Sequence, residues 1–159
     1  MANFKNSNYY LISNAADTVP ASASGTGTVS TAGTAVTGTG TAFLTELLPG
    51  SWLIDFASNE IRLVTAVSDD TTAYIQQAFT APLAGVNLAY VDKNNLHAYG
   101  ISVQVPSTEA DITVDGETLY AGTSVSFTKD SRNRSTGRDF VNPIVVDATG
   151  SVAQIIVEK

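Results

Sequence analysis

The residues that most often carry chemistry in proteins are scarce in this chain. His97 is the only histidine, and there is no cysteine. A Ser-His-Asp triad needs an activated serine, but the sequence contains no Gly-x-Ser-x-Gly elbow that would present one. Zinc sites need several histidine or cysteine ligands. We therefore expect His97 to be a structural or surface residue, and we predict neither a catalytic triad nor a metal site.

Carboxylates that are close in sequence form two small groups. Asp69 and Asp70 are adjacent, and Asp111 lies near Asp115 and Glu117. Neither group has the spacing of a calcium-binding loop, so we interpret both as turn residues. Two carboxylates from distant strands can also hydrolyse glycosides, but such enzymes use a long groove that this chain length and aromatic content do not favour. The sequence therefore predicts a non-enzymatic protein without a cofactor.

Cationic side chains are concentrated in one stretch of the second half. Lys129, Arg132, Arg134 and Arg138 are four of the eight lysines and arginines, in a chain of formal net charge −7. A charge run of this kind is usually a solvated loop between strands. Arginine also pairs bidentately with carboxylates, so the stretch is equally suited to contact an acidic neighbouring subunit. We favour the subunit contact and predict an interface at these four residues.

An apolar patch lies near the N-terminus between polar flanks. It contains Phe4, Tyr9 and Tyr10, and an Ala/Ser tract without periodicity follows it. This pattern predicts an extended arm over residues 1–24 that carries one short strand. Such an arm is held either by a neighbouring subunit or by its own domain, and the sequence leaves both open. We include Phe4, Tyr9 and Tyr10 in the predicted interface.

The composition is poor in charge. Charged residues make up 14% of the chain and hydrophobic residues 43%, whereas charged residues are about a quarter of typical soluble domains. A surface low in charge is typical of a subunit that neighbours cover, because burying an unpaired charge is unfavourable. We therefore expect a homo-oligomer.

Charge and hydropathy also exclude several classes of partner. The net charge of −7 and a pI near 4.4 do not favour nucleic acid as a ligand, because phosphate binding needs a basic face. No apolar run or leader has the pattern of a membrane span or a secretion signal. We expect no membrane partner, and we expect synthesis in a cytoplasm.

Residues 25–92 have the pattern of a small β-barrel. Thr, Gly and Val alternate at the start and predict two strands joined by a tight turn. Phe43 and Leu47 then fall at helical spacing for about two turns before Pro49 ends the helix. Further runs of β-branched and aromatic residues supply the remaining strands. The polar residues 93–97 are predicted to be a linker.

Residues 98–159 have the regular strand and turn spacing of a β-sandwich. Asp115 and Gly116 are suited to the positive-φ positions of a type I′ hairpin turn. A last hairpin is predicted around residues 148–150. Pro143 lies in its first strand and predicts an edge strand or a bulge, because proline donates no hydrogen bond. The sequence therefore predicts an all-β fold of two small β domains: a barrel-like module with one short helix, then a sandwich-like module.

One stretch resembles a known group of proteins. The sequence GTAVTGTGTAF at Gly33–Phe43, followed by Leu47, Pro49 and a return strand that begins IRLV, resembles small β-barrel modules of tailed-bacteriophage virion proteins. The resemblance covers roughly a third of the chain. Such modules occur in head-decoration, head-fibre, tail and tail-fibre proteins. Thr/Gly/Val-rich hairpins of secreted adhesins and cell-wall repeats have a similar pattern.

The resemblance implies a structural role in a tailed-phage virion. We expect a non-enzymatic auxiliary or decoration subunit of the capsid, located in the virion, whose partners are major capsid or tail proteins and further copies of itself. A tail, connector or head-fibre component is one alternative. A carbohydrate-binding adhesin module is another. The sequence does not separate these three or indicate a host.

Overall fold

Two units of β-structure make up the chain. The computed structural model describes residues 7–19, 21–93, 100–128 and 143–158. In these residues the strands are β1 Ser7–Ser13, β2 Ala16–Val19, β3 Ala23–Ala32, β4 Ala35–Thr39, β5 Trp52–Asp55, β6 Glu60–Asp69, β7 Thr72–Ile75, β8 Val86–Val91, β9 Gly100–Gln104, β10 Ile112–Val114, β11 Glu117–Leu119, β12 Ser124–Thr128, β13 Ile144–Asp147 and β14 Val152–Glu158. The helix α1 is Phe43–Glu46. The predicted all-β fold class is confirmed.

The unit Ala21–Asn95 is a closed six-stranded barrel. Its strands follow the order β3-β4-β7-β6-β5-β8, and β8 pairs with β3 to close it. The hairpin of β3 and β4 turns at Gly33, whose φ of 60° lies in the left-handed region that glycine adopts readily. The predicted tight turn is therefore present, and the barrel has one strand from each predicted β-run of this module.

The barrel closes on an apolar interior that the short helix completes. Phe43 in α1 and Leu47 just after it are buried. The N–H groups of Phe43 and Leu44 donate to the backbone oxygen and to Oδ1 of Asp70, at 3.3 and 3.1 Å. These bonds tie the start of the helix to the turn between β6 and β7. The helix has four residues, so it is shorter than the two turns predicted.

The other unit, Met1–Pro20 with Leu96–Lys159, is a sandwich of two four-stranded antiparallel sheets. The strand orders are β1-β14-β9-β12 and β11-β10-β13-β2. Apolar side chains of both sheets form one buried cluster, which includes Ile12, Ile101 and Ile155 from the first sheet and Val19, Ile112 and Val146 from the second. A common core of this kind is what two facing sheets need to bury their apolar sides.

The two ends of the described chain form one antiparallel ribbon. β1 pairs with β14 along its whole length, and β2 pairs with β13. Because β1 and β2 lie in different sheets, the ribbon bends between them. At the bend Asn14 has a φ of 50°, its N–H donates to the Ser151 oxygen at 2.9 Å, and its Oδ1 accepts from the Gly150 N–H at 2.9 Å. The ribbon thereby supplies strands to both sheets.

The ribbon changes the predicted division of the chain. An arm over residues 1–24 and a separate sandwich over 98–159 were expected, with a linker at 93–97. Instead, β1 and β2 are the edge strands of the two sheets, and the barrel is inserted between them and the rest of the sandwich unit. The predicted barrel, 25–92, lies within the observed unit Ala21–Asn95. Of the two ways to hold the arm, the structure shows pairing with its own chain.

The predicted hairpin around residues 148–150 is wrong, because β13 and β14 lie in different sheets. The chain does turn there, since the Ser151 N–H donates to the Ala148 oxygen at 2.9 Å. After this turn β14 enters a different sheet from β13, at the same place where the ribbon bends between β1 and β2. Pro143 precedes β13, which lies between β10 and β2 and is not an edge strand. The proline therefore leaves the hydrogen bonds of the strand intact.

Candidate assembly surface

Only part of the predicted interface can be placed in the fold. Tyr9 and Tyr10 lie on β1, whose backbone is described. Outside the described residues lie Phe4, Lys129, Arg132, Arg134, Arg138 and also His97. Of the predicted interface segments, the described part of the structure therefore places one, β1, and this strand lies at the edge of its sheet.

The clustered carboxylates accept backbone hydrogen bonds in turns. Asp69 Oδ1 accepts from the Thr71 N–H at 2.8 Å, and this bond holds the pKa of Asp69 below its ordinary value. Asp115 Oδ1 accepts from the Val145 N–H at 2.7 Å. Desolvation of the carboxyl raises the pKa of Asp115, although the bond from Val145 opposes the rise. Asp70 and Asp115 lie in turns, as interpreted, whereas Asp69 is the last residue of β6 and Glu117 is the first residue of β11. Among the described residues, no three His, Cys, Asp or Glu side chains are grouped to hold a metal ion.

The outer face of the β1-β14-β9-β12 sheet is uncharged wherever its side chains are described. The register of the four strands places one set of alternate residues on this face, opposite the buried core residues. The members with described side chains are Leu11, Ser13, Ser102, Gln104, Ser124, Ser126, Val152, Gln154 and Ile156. The described side chains of this face are therefore hydroxyl, amide and apolar groups. Glu158, the register partner of Ser7 at the end of β14, belongs to the same alternate set, but its side chain is outside the described part of the structure.

Two large apolar side chains are exposed on this face. Leu11 is 54% exposed and Ile156 is 40% exposed. Leu11 is paired with Gln154, and Ile156 is two residues farther along β14, so the two are diagonal neighbours. Leu11 belongs to the apolar patch that the sequence shows near the N-terminus, but the sequence alone does not indicate that Leu11 and Ile156 are exposed on one face. Because Ile12 is buried, the alternation of side chains along β1 places Leu11 on the opposite face. The pairing of β1 with β14 is needed to show that Ile156 lies on the same face as Leu11.

β1 leaves one row of backbone groups without a strand partner among the described residues. It is the first strand of its sheet and pairs there with β14 alone. The N–H of Asn14 donates to the Ser151 oxygen, which continues the β1–β14 register and identifies the residues that bond across the ladder. In an antiparallel pair alternate residues direct their N–H and C=O to the partner strand. The groups directed to β14 therefore belong to Asn8, Tyr10 and Ile12, and those directed to the open edge belong to Ser7, Tyr9, Leu11 and Ser13.

A shallow groove lies on the barrel where β3 and β8 separate. Their register jumps from the pair Ser24–Ala89 to the pair Thr28–Asn87, so three residues of β3 face one residue of β8. The groove has a volume of about 510 Å³. It is lined by one aromatic residue, one leucine and several small or polar residues: Phe56, Leu88, Ser24, Gly25, Gly27, Thr28, Asn87 and Ala89.

A carboxylate of the helix holds this bulge open. The N–H of Thr26 donates to both carboxylate oxygens of Glu46, at 3.0 and 3.1 Å, and the Thr26 hydroxyl donates at 3.0 Å. The two flanking glycines are required by space. A Cβ on Gly27 would lie 2.3 Å from the Thr39 oxygen, and one on Gly25 would lie 2.3 Å from the Leu88 side chain. The groove is therefore a built feature of the barrel, and the alternation of Thr, Gly and Val in this part of the sequence does not reveal it.

The groups at these two surfaces are suited to bind another molecule. The sheet face offers hydroxyls, amides, apolar side chains and an open strand edge. The groove is lined by an aromatic residue, Phe56, and an amide residue, Asn87, and the Glu46 carboxylate, which lies within 2.8 Å of the position of a Cβ on Gly25, accepts hydrogen bonds from Thr26. The sheet face is thus suited to contact another protein surface, and the groove to contact a small neutral ligand.

No helix among the described residues is long and apolar enough to cross a membrane. In comparisons with known proteins, no family model, no curated protein and no solved structure matches the chain.

Proposed function

We propose that this chain is a non-enzymatic structural protein of a tailed-phage virion, and specifically an auxiliary or decoration subunit of the capsid. The single observation that carries the proposal is the outer face of the β1-β14-β9-β12 sheet, whose described side chains are all uncharged and which ends, among the described residues, in an open strand edge. That the assembly is a tailed-phage virion is proposed from the resemblance of Gly33–Phe43 and the residues after it to phage virion modules.

The face supports an assembly role because its composition suits burial. Covering a hydroxyl or an amide is tolerable when it finds a hydrogen-bond partner, whereas covering an unpaired charge is strongly unfavourable. Leu11 and Ile156 add apolar area that gains free energy when water is removed from it. A neighbouring subunit that covers this face would therefore contact apolar and hydroxyl groups. Among the described side chains of the face, it would desolvate no charged group.

The proposed partners are the major capsid or tail proteins of the same particle and further copies of this chain. Many weak contacts of the same kind attach a subunit firmly when the partner surface repeats, because each contact raises the local concentration for the next. A subunit of modest individual affinity is in this way compatible with stable attachment to a regular shell.

Copy number per particle tests the proposal. Quantitative mass spectrometry of purified virions from the phage that encodes the chain should find hundreds of copies, in a fixed ratio to the major capsid protein. About a dozen copies or fewer would instead indicate the alternative, a tail, connector or head-fibre component. Absence of the chain from washed particles would contradict any virion role.

The groove favours a second candidate, a carbohydrate-binding module. A groove lined by an aromatic residue and an amide residue suits a neutral sugar, which has one apolar face and hydroxyls at its rim. Titration with neutral oligosaccharides of the host surface, followed by NMR, should then perturb the groove residues. Phe56→Ala should abolish the effect. Tyr74→Ala, which changes an exposed aromatic residue of β7 outside the groove lining, should not.

A further inference from the structure

We infer that two copies of this chain pair through the open edge of β1, antiparallel to each other, about a two-fold axis at Tyr10. The four strands of each sheet then give one continuous eight-stranded sheet across the pair. The inference rests on the proposed assembly role and names a second copy as the first partner of the face described above.

The backbone of β1 is complementary to itself. Its outward N–H and C=O groups belong to alternate residues from Ser7 to Ser13. In an antiparallel pair centred on Tyr10, Ser7 lies opposite the partner's Ser13, and Tyr9 lies opposite the partner's Leu11. Both members of each pair then direct their groups across the new ladder. All seven residues of the strand are paired, so no outward group is left without a partner at the seam.

The strand lacks the devices that normally prevent such pairing. Edge strands are usually protected by lysine, proline, an inward-pointing charge or a bulge. The seven residues SNYYLIS contain neither a charged residue nor a proline, and their pairing with β14 has no register shift.

A second copy is also favoured by the outer face. Each molecule has a net charge of −7, so two copies repel each other unless they meet where charge is low. The face beside β1 carries no charged side chain among those described. A single strand pair buries less than the ~1,200 Å² of a stable interface, so we expect a weak dimer that forms at high local concentration, as on a particle.

The test compares matched substitutions of two exposed leucines. Leu11 on β1 is 54% exposed and Leu44 on α1 is 55% exposed, so lysine at either position removes no core group. Lysine on an edge strand opposes pairing, whereas lysine on the helix does not. Sedimentation velocity of the full chain up to about 1 mM, where even a weak complex of that dissociation constant is half formed, should show dimers of wild type and of Leu44→Lys. Leu11→Lys should associate at least tenfold more weakly.

Hydrogen exchange of the β1 amides provides a second measurement, whose dependence on protein concentration reports dimerisation and not folding. In the dimer the amides of Tyr9, Leu11 and Ser13 should become protected, while those of Tyr10 and Ile12 are protected at every concentration. Circular dichroism verifies that each variant is folded. A monomeric wild type at the highest concentration, or equal association of Leu11→Lys and wild type, would overturn the inference. Both measurements use purified protein in solution, so they are independent of whether the chain is found in virions.

Discussion

Glu60 on β6 organises a cluster of side chains on the barrel. Its carboxylate accepts hydrogen bonds from the Thr80 N–H at 2.9 Å and from the Thr80 hydroxyl, and Arg62 donates to it at 2.9 Å. The Arg62 guanidinium also lies 5.0 Å from the ring centroid of Phe79, within range of a cation–π contact. The cluster therefore connects β6 to the segment after β7.

The same contacts change the ionisation of Glu60. Partial desolvation raises the pKa of Glu60, but the bonds from Thr80 and the charge of Arg62 outweigh it and hold the pKa below the ordinary value of 4.5. A carboxyl whose folded pKa is depressed stabilises the fold above its unfolded pKa, and this stabilisation is lost as the pH falls through the folded value.

We predict that Glu60→Gln lowers the melting temperature at pH 7 and that its difference from wild type disappears at acid pH. Glutamine keeps the size of the side chain and removes the charge that Arg62 and Thr80 contact. Thermal unfolding followed by Trp52 fluorescence, at pH 7 and at about pH 3, measures the difference in the barrel. Glu117→Gln, at an exposed position on β11, is the control. Equal melting of Glu60→Gln and wild type at pH 7 would show that the cluster adds no stability.

At the scale of elements, the barrel depends on the bulge between β3 and β8. Gly27 has a φ of 73°, and a Cβ there would lie 2.3 Å from the Thr39 oxygen, a backbone atom that cannot move without its strand. Gly33 has a φ of 60° but has no atom within 4 Å of the position of a Cβ. Both glycines therefore have a left-handed backbone, but only at Gly27 would a side chain also clash with a neighbouring strand.

We predict that Gly33→Ala destabilises the barrel by roughly 1–2 kcal/mol, the typical cost of a left-handed backbone for an L-residue. Gly27→Ala should cost a further ~1–3 kcal/mol, because the added methyl group must displace β4. Urea unfolding of both variants gives the two free energies. Equal values would mean that the bulge relaxes without resistance and that the groove is not fixed by the backbone.

The elements that could be predicted from the sequence are those with local signals. The turn at Asp115 and Gly116 has φ angles of 50° and 83°, as the type I′ prediction requires, because two adjacent residues determine it. The helix at Phe43 and the hairpin at Gly33 are local in the same way. Pairing of β1 with β14 joins the two ends of the chain, and no pattern of neighbouring residues encodes it. The last hairpin failed for a related reason, since a turn signal does not determine which sheet the next strand joins.

The candidate surface was predictable only in part for the same reason. The apolar residues of β1 are visible in the sequence, and the low charge of the chain is the basis on which a covered surface was predicted. That Leu11 and Ile156 lie on one uncharged face depends on the register of β1, β14, β9 and β12. The groove required the register shift between β3 and β8, which side-chain patterns do not reveal.

At the scale of the whole molecule, the sandwich needs both ends of the chain. Residues 1–20 contain β1 and β2, and they bury Ile12, Thr18 and Val19. Their removal would expose the core of both sheets to water at one edge each. The barrel, by contrast, has its own closed sheet and its own apolar core.

We predict that deletion of residues 1–20 unfolds the sandwich unit and leaves the barrel folded. Trp52 is the only tryptophan and lies on β5, so its fluorescence reports on the barrel. The deleted protein should keep a cooperative fluorescence transition while its circular dichroism loses the contribution of the sandwich strands. Deletion of residues 1–6, which leaves β1 and β2 intact, is the control. A native-like dichroism spectrum after the longer deletion would show that the ribbon is dispensable.

The most direct test of the account asks whether the uncharged face and its open edge are the part of the molecule that assembles. Particles assembled without this chain are mixed with wild type, Leu11→Lys or Leu44→Lys, and the bound copies per particle are counted by quantitative mass spectrometry. We predict full occupancy for wild type and Leu44→Lys and strongly reduced occupancy for folded Leu11→Lys. Equal occupancy of all three proteins would contradict the assignment of this surface, and no binding of wild type would contradict the virion role itself.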